Sequence, residues 1–183
     1  MRRAHREQRC AAATVSGEPS TKEALLMTDQ TRLAQLEKEH VELVVRRFDR
    51  ADAWQLGRFI AERALAQGAP VAVDVRTASG ILFHASLPGA TADNDAWVQK
   101  KAATALRFET STALLEARVA SGGRDMFEPG WLDPVTYAVA GGSVPVRVEG
   151  VGVVAVATVS GLPSADDHDL VVEGITALGL LVG

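Results

Sequence analysis

The stretch "APVAVDVRTASGILFHASL", residues 69–87, decides how the rest of this chain must fold. Val71, Val73 and Val75 alternate with Ala72, Asp74 and Arg76, the two-residue period of a strand with one buried face. "TASG" at 77–80 is a turn, and Ile81–Ser86 returns as a second strand, so the segment is a hairpin. On its second strand His84 shares a face with Leu82 and Ser86, opposite Ile81, Phe83 and Ala85. A hairpin commits the chain to a sheet that neighbouring elements must cover.

Those neighbours are helical on the N-terminal side. From Asp29 to Asp49 the residues Leu33, Leu36, His40, Leu43, Val44 and Phe48 fall on one helical face. Asp52, with Gln55 three residues on, resembles an N-cap. The helix behind it buries Leu56, Phe59, Ile60 and Ala64 and closes near Gln67, with Gly68 and Pro70 as its stop. On the C-terminal side "PGATADND" breaks the strand and offers capping oxygens to a helix over 96–119. After the loop "SGGRDMFEPGWLDP" three strands follow: "TYAVA", "VPVRVE" and the Val/Ala run "VGVVAVATVS" of a central strand. A last helix starts at Ser164, with Asp167 at capping-box spacing. Its stripe of Val171, Ile175, Leu178 and Val182 is broadened by Leu170, Ala177 and Leu181, which suggests burial on more than one side, partly by another subunit. Short consecutive strands with helices stacked on them predict an α+β fold on an antiparallel sheet, not a doubly wound one.

The totals agree with one soluble domain. The 183 residues are 47% apolar and 23% charged, and only 5% are aromatic, so the core must rest on Ala, Val and Leu. A net charge of −4 gives no reason to expect nucleic acid as partner. The single cysteine, Cys10, excludes an internal disulfide and a Cys-cluster zinc site. No apolar run approaches the roughly 20 residues of a membrane-spanning helix. The basic start with Arg2 and Arg3 lacks the continuous apolar segment of an export signal. Residues 1–27 are therefore read as a disordered arm or as a start placed upstream of Met27, residues 28–183 as the domain, and the protein as cytoplasmic.

Candidate chemistry gathers around the helix after the hairpin. Trp97, Lys101, Thr104 and Phe108 make a stripe beside its core face of Val98, Ala102, Ala105 and Leu106. In one reading the Lys101 ammonium points into a pocket mouth and holds a carboxylate. In the other its stem covers apolar surface while the charge reaches water, and spacing alone favours this second reading. His84 suits a metal or haem ligand or an acid–base group, but such a histidine more often donates to a nearby backbone carbonyl or carboxylate, and that reading is preferred. His40 sits in an apolar stripe and is read as packing, while His168, in the first turn of the last helix, is assigned to the surface. "DND" and "DDHD" stand where helix starts want carboxylates, so capping is preferred to a metal site. Ser111 and Thr112 match no nucleophile elbow, and no Ser/His/Asp set can be nominated, so no reaction follows from the residues.

The segments "KAATALRF" (101–108), "GGSVPV" (141–146) and "VGVVAVATVSGLPSADDHDL" (151–170) resemble the GlcG/HbpS-like family, labelled a haem-degrading domain. The matching positions are Lys101-Ala102, Gly141-Gly142 with Pro145, Val159-Ser160-Gly161, and Asp167. "LFHASLPGATADNDAWVQKK" (82–101) and "TVSGLPSADDHDLVVE" (158–173) resemble its uncharacterised branch, numbered 0303 among proteins of unknown function. The resemblance implies a profilin-like fold with a five-stranded antiparallel sheet and homo-oligomers, either dimers or larger rings. It also favours binding of a small ligand, haem among the candidates, lined by the motif residues His84, Trp97 and Lys101; Phe108 of the helix stripe and Gly141 and Gly142 of the glycine turn complete the candidate site. Ala140 stands where the branch commonly has a histidine, which weakens ligation dependent on that position. Two other classes stay open: an oligomeric scaffold for protein partners, and an enzyme on a small carboxylate anchored by Lys101. The sharpest geometric expectation is that His84, Trp97 and Lys101 enclose one site.

Overall fold

The computed structural model describes the backbone of residues 21–182 and the side chains of residues 29–182. The reading of residues 1–20 as an arm lies outside the described residues. The first helix, α1 (Thr21–Glu42), is followed by a two-residue strand, β1 (Val44–Val45), and by α2 (Arg50–Ala66). The hairpin is β2 (Ala72–Arg76) and β3 (Ile81–Ser86). Then come α3 (Ala92–Phe108), α4 (Thr112–Ala120), β4 (Ser143–Val148), β5 (Gly152–Ser160) and α5 (Ser164–Ala177). The strands form one sheet in the order β1-β4-β5-β2-β3.

The α+β class and the five strands are as expected, but the sheet is mixed. β1 runs parallel to β4, and the other three pairings are antiparallel. The fifth strand is not "TYAVA" but Val44–Val45, inside the stretch read as helix. Two residues are too few to show a period. Their pairing comes instead from the chain's end, where Val182 N donates to Val44 O and Arg46 N donates to Leu180 O. For the same reason the last helix stops at Ala177, before Leu178 and Val182.

Local chemistry moves three further boundaries. Asp49, not Asp52, caps α2; its carboxylate accepts from Ala51 N and Asp52 N, and Asp52 answers by accepting from Asp49 N. The helix expected over 96–119 is two helices. Glu109 takes a left-handed conformation (φ 48°), and the Ser111 hydroxyl accepts from Leu114 N to start α4. At α5 the capping-box reading fails, because the Ser164 hydroxyl donates to Glu116 and Asp167 turns inward.

The two faces of the sheet are built differently. Val73, Val75, Val144, Val146, Ala155, Ala157 and Val159 form the apolar face, covered by Leu56 and Ile60 of α2 and Val171 and Ile175 of α5. Each valine, leucine or isoleucine among them contributes about 1.5–3 kcal/mol when fully buried. Close approach matters here: a Cβ at Gly57 would run into the Phe83 ring, and one at Gly174 would meet Ile60 Cγ1 at 2.6 Å. The other face lies under α3, where Ala102 and Ala105 pack on Val156. It carries His84, Asp74, Thr158 and Ser143 as successive cross-strand partners. Among the described residues no helix is long and apolar enough to cross a membrane.

Candidate functional site

The polar row ends at the exposed edge of the sheet, and the candidate site is there. Asp74 is fully buried, a position a carboxylate tolerates only when its oxygens are satisfied. Arg76 supplies two donors, Nε to Oδ1 (2.5 Å) and Nη2 to Oδ2 (2.8 Å), and Asp74 in turn pushes the guanidinium pKa up. His84 Nδ1 stands 3.2 Å from Asp74 Oδ2. On the ring's other side Nε2 lies 3.2 Å from Asp95 Oδ1 and 3.5 Å from Ser86 Oγ, and the Ser86 hydroxyl donates to Asp95 at 2.8 Å. The His84 side chain is 36% exposed, so solvent reaches this cluster.

Beside it runs an open groove of about 500 Å³, shared by the sheet, α3 and the loop before β4. Arg76, Asp95, Gln99, Lys100 and Thr136 give it polar groups, and Ala92, Ala96, Ala103 and Val135 give it apolar surface. Lys100 braces this wall: its ammonium donates to Pro134 O (3.1 Å) and lies 6.0 Å from the Trp97 ring centre. Ser86, His84 and Asp74 are aligned in the order of a nucleophile, a base and an orienting acid. The Asp95 carboxylate, however, engages both the hydroxyl and Nε2, and a negative charge there opposes a developing oxyanion.

The expected trio is divided among different places. His84 belongs to the cluster just described. Trp97 is 40% exposed on the outer side of α3. Lys101 points inward and is 4% exposed. Its ammonium donates to Asp167 Oδ2 (2.8 Å) and Val159 O (3.3 Å), so it occupies no pocket mouth and holds no external anion. Burial pushes the Asp167 carboxyl up, against the pull of the Lys101 ammonium and of the Leu162 and Gly161 amides. Gly142 (φ 122°) closes over this pair: a Cβ there would stand 2.9 Å from Lys101 Nζ and 2.8 Å from Asp167 Cβ. Gly141 is pressed equally close to the Ser164 backbone, so both glycines serve packing. Phe108 meets Trp131 edge to face, with ring centres 6.2 Å apart, inside the small core of the 121–142 loop.

His168 also departs from expectation. It is 1% exposed, and Nε2 meets Glu39 Oε2 at 2.9 Å, which holds the Glu39 carboxyl below the usual carboxylate range. The helix start on which it lies is covered by α1, a tertiary fact that local spacing does not carry. The members of the site that sequence reasoning missed are Asp74, Asp95, Arg76 and Lys100. A plain alignment of the two hairpin strands across "TASG" pairs Asp74 with Phe83; the register shift between Val75 and Arg76 sets Asp74 opposite His84 instead, and nothing local signals that shift or the approach of Asp95.

The family described as "Haem degrading protein HbpS-like" matches residues 48–176, which include the whole cluster. A UPF0303 protein of Streptomyces coelicolor is 47% identical over 143 residues, covering 78% of this chain and 90% of its own length. Among solved structures, the crystal structure of Ybr137w protein superposes with a TM-score of 0.72 at 31% identity, covering 85% of this chain and 94% of that one. The crystal structure of HbpS does so with a TM-score of 0.60 at 27% identity, covering 73% and 91%.

Proposed function

The chain belongs to the HbpS-like family of haem-degrading proteins, and on that footing we propose that it binds a small anionic ligand in the groove beside His84. The carrying observation is the meeting of that groove with the buried Asp74–Arg76 pair and the solvent-reached imidazole. Arg76 and Lys100 supply positive charge to a carboxylate, and Ala92, Ala96 and Val135 supply apolar surface to its remainder. The reading includes residues 28–183 as the folding unit, a cytoplasmic location and a homo-oligomer. Assembly is supported by Ile81 on the edge strand and Trp54, which are 61% and 58% exposed.

Haem is the ligand that the family description brings forward. The groove suits its periphery, with cations for its carboxylates and alanines for its apolar edge. His84 does not suit its iron. Nε2 is flanked by the Asp95 carboxylate at 3.2 Å and the Ser86 hydroxyl at 3.5 Å, so a macrocycle laid across that nitrogen would meet both. Ala140 offers no donor in its place. Haem iron at His84 is therefore no part of the function derived for this site.

Calorimetric titration with small carboxylates and with hemin, in buffer containing a chelator, tests the groove. Ala96 is an exposed groove residue, so Ala96→Trp fills the groove without disturbing the core. The expected result is a saturable ligand whose affinity falls at least about tenfold in that variant. A ligand that binds variant and parent alike, or no saturable ligand in the panel, sinks the reading.

A further inference from the structure

Hydrogen counting at His84 leads beyond ligand binding. The Asp74 carboxylate is buried and already pairs with Arg76, so it faces Nδ1 only as an acceptor, and Nδ1 must carry a proton. In the neutral ring Nε2 then presents its lone pair. That lone pair faces Asp95 Oδ1, another acceptor, at 3.2 Å. The Ser86 hydroxyl proton is given to Asp95 at 2.8 Å. Two acceptors this close are reconciled by a second ring proton or by a metal ion between them, and the placement of the three surrounding donor atoms points to the metal ion.

We infer that His84 Nε2, Asp95 Oδ1 and Ser86 Oγ form a binding site for a divalent first-row transition-metal ion at the edge of the groove. Their mutual separations are 2.8, 3.2 and 3.5 Å. The edge of an octahedral face with metal–ligand bonds near 2.1 Å is about 3 Å, so the three atoms span one such face. The bond from His84 Nδ1 to Asp74 is the outer-shell contact that orients a metal-bound imidazole and raises its basicity. Arg76 locks Asp74 in turn, so the orientation is built into the sheet before any ion arrives. A nitrogen and a carboxylate oxygen favour a transition ion over magnesium or calcium. Only two of the three donors are of the usual ligating types; among the described residues no three His, Cys, Asp or Glu side chains are grouped so that they could hold a metal ion by themselves. The ion completes its shell from the groove, by water or by the groove's ligand. The site therefore extends the proposed function without depending on it.

Cobalt(II) is the probe, titrated into the tag-free full chain without added ligand and followed by its visible absorption. The inference requires saturable one-to-one binding that weakens at least about tenfold in both His84→Ala and Asp95→Asn, with unchanged circular dichroism. Asp95→Asn keeps the side chain's size, so it tests the charge where the alanine variant also removes packing. Three results overturn the site: no saturable binding by the parent, binding unaffected by either substitution, or ¹⁵N spectra showing both His84 ring nitrogens protonated with cobalt's diamagnetic substitute zinc present. In the last case the cation between the acceptors is a proton. Failure here leaves the groove reading untouched, because Ala96→Trp is measured with chelator present.

Discussion

The two faces of the sheet carry alternate residues of the same strands and solve opposite problems. Toward α2 and α5, Val73, Val75, Val144, Val146 and Val159 need only shape and water exclusion. Toward α3, Asp74, Thr158 and Ser143 are buried as deeply, yet each must find a polar partner. Asp74 finds Arg76 and His84, and the Thr158 and Ser143 hydroxyls find each other at 2.9 Å. The apolar face thus supplies stability from interchangeable parts. The polar face supplies oriented groups and brings His84 to the β3 edge, where solvent reaches it. Where the strands end, Lys101 of α3 reaches Asp167 of α5 and ties the two sides together.

The strongest test of the comparison is to cut that tie. Lys101→Met leaves the Asp167 carboxyl buried without its cation and should destabilise the protein by about 3–5 kcal/mol in denaturant unfolding. A loss below about 1 kcal/mol would mean that the pair does not join the two faces. A smaller effect is expected within the polar row. Thr158→Val keeps the shape but strands the Ser143 hydroxyl, at a cost of about 1–2 kcal/mol. A neutral result there would mean that the two faces obey the same rule.

Acid should produce the smallest effect. The hydrogen bond from His168 lowers the Glu39 carboxyl in the folded protein, so its contribution is fully present above the unfolded pKa. It is lost as pH falls through the depressed folded value. Stability measured from neutral to acidic pH should therefore fall, and Glu39→Gln should remove under about 1 kcal/mol of that dependence. An unchanged acid profile in the variant would remove this contact from the account of how α1 is held.

Much of this arrangement was legible from residues 69–87. The alternation of Val71, Val73 and Val75 separates the faces, but β2 is buried on both of them, not on one, because α3 covers the side that carries Asp74; the position of His84 beside Ser86 is as read. The motif resemblance also agrees with the family match over residues 48–176. Less legible were short or tertiary features. β1 has two residues and no period, and the break at Glu109 rests on one left-handed residue. Lys101 looked like a surface cation because its partner lies 66 positions away.

By itself the sequence determined the hairpin, the strands at 143–148 and 152–160, the α+β class and the helix that follows His84, because periods, turns and caps act between near neighbours. Tertiary structure alone decided that β1 joins the sheet in parallel, that Lys101 and His168 are interior, and that Asp95 completes the surroundings of His84. Those outcomes depend on where separate elements pack against one another. Local pattern constrains such packing but does not encode its distances.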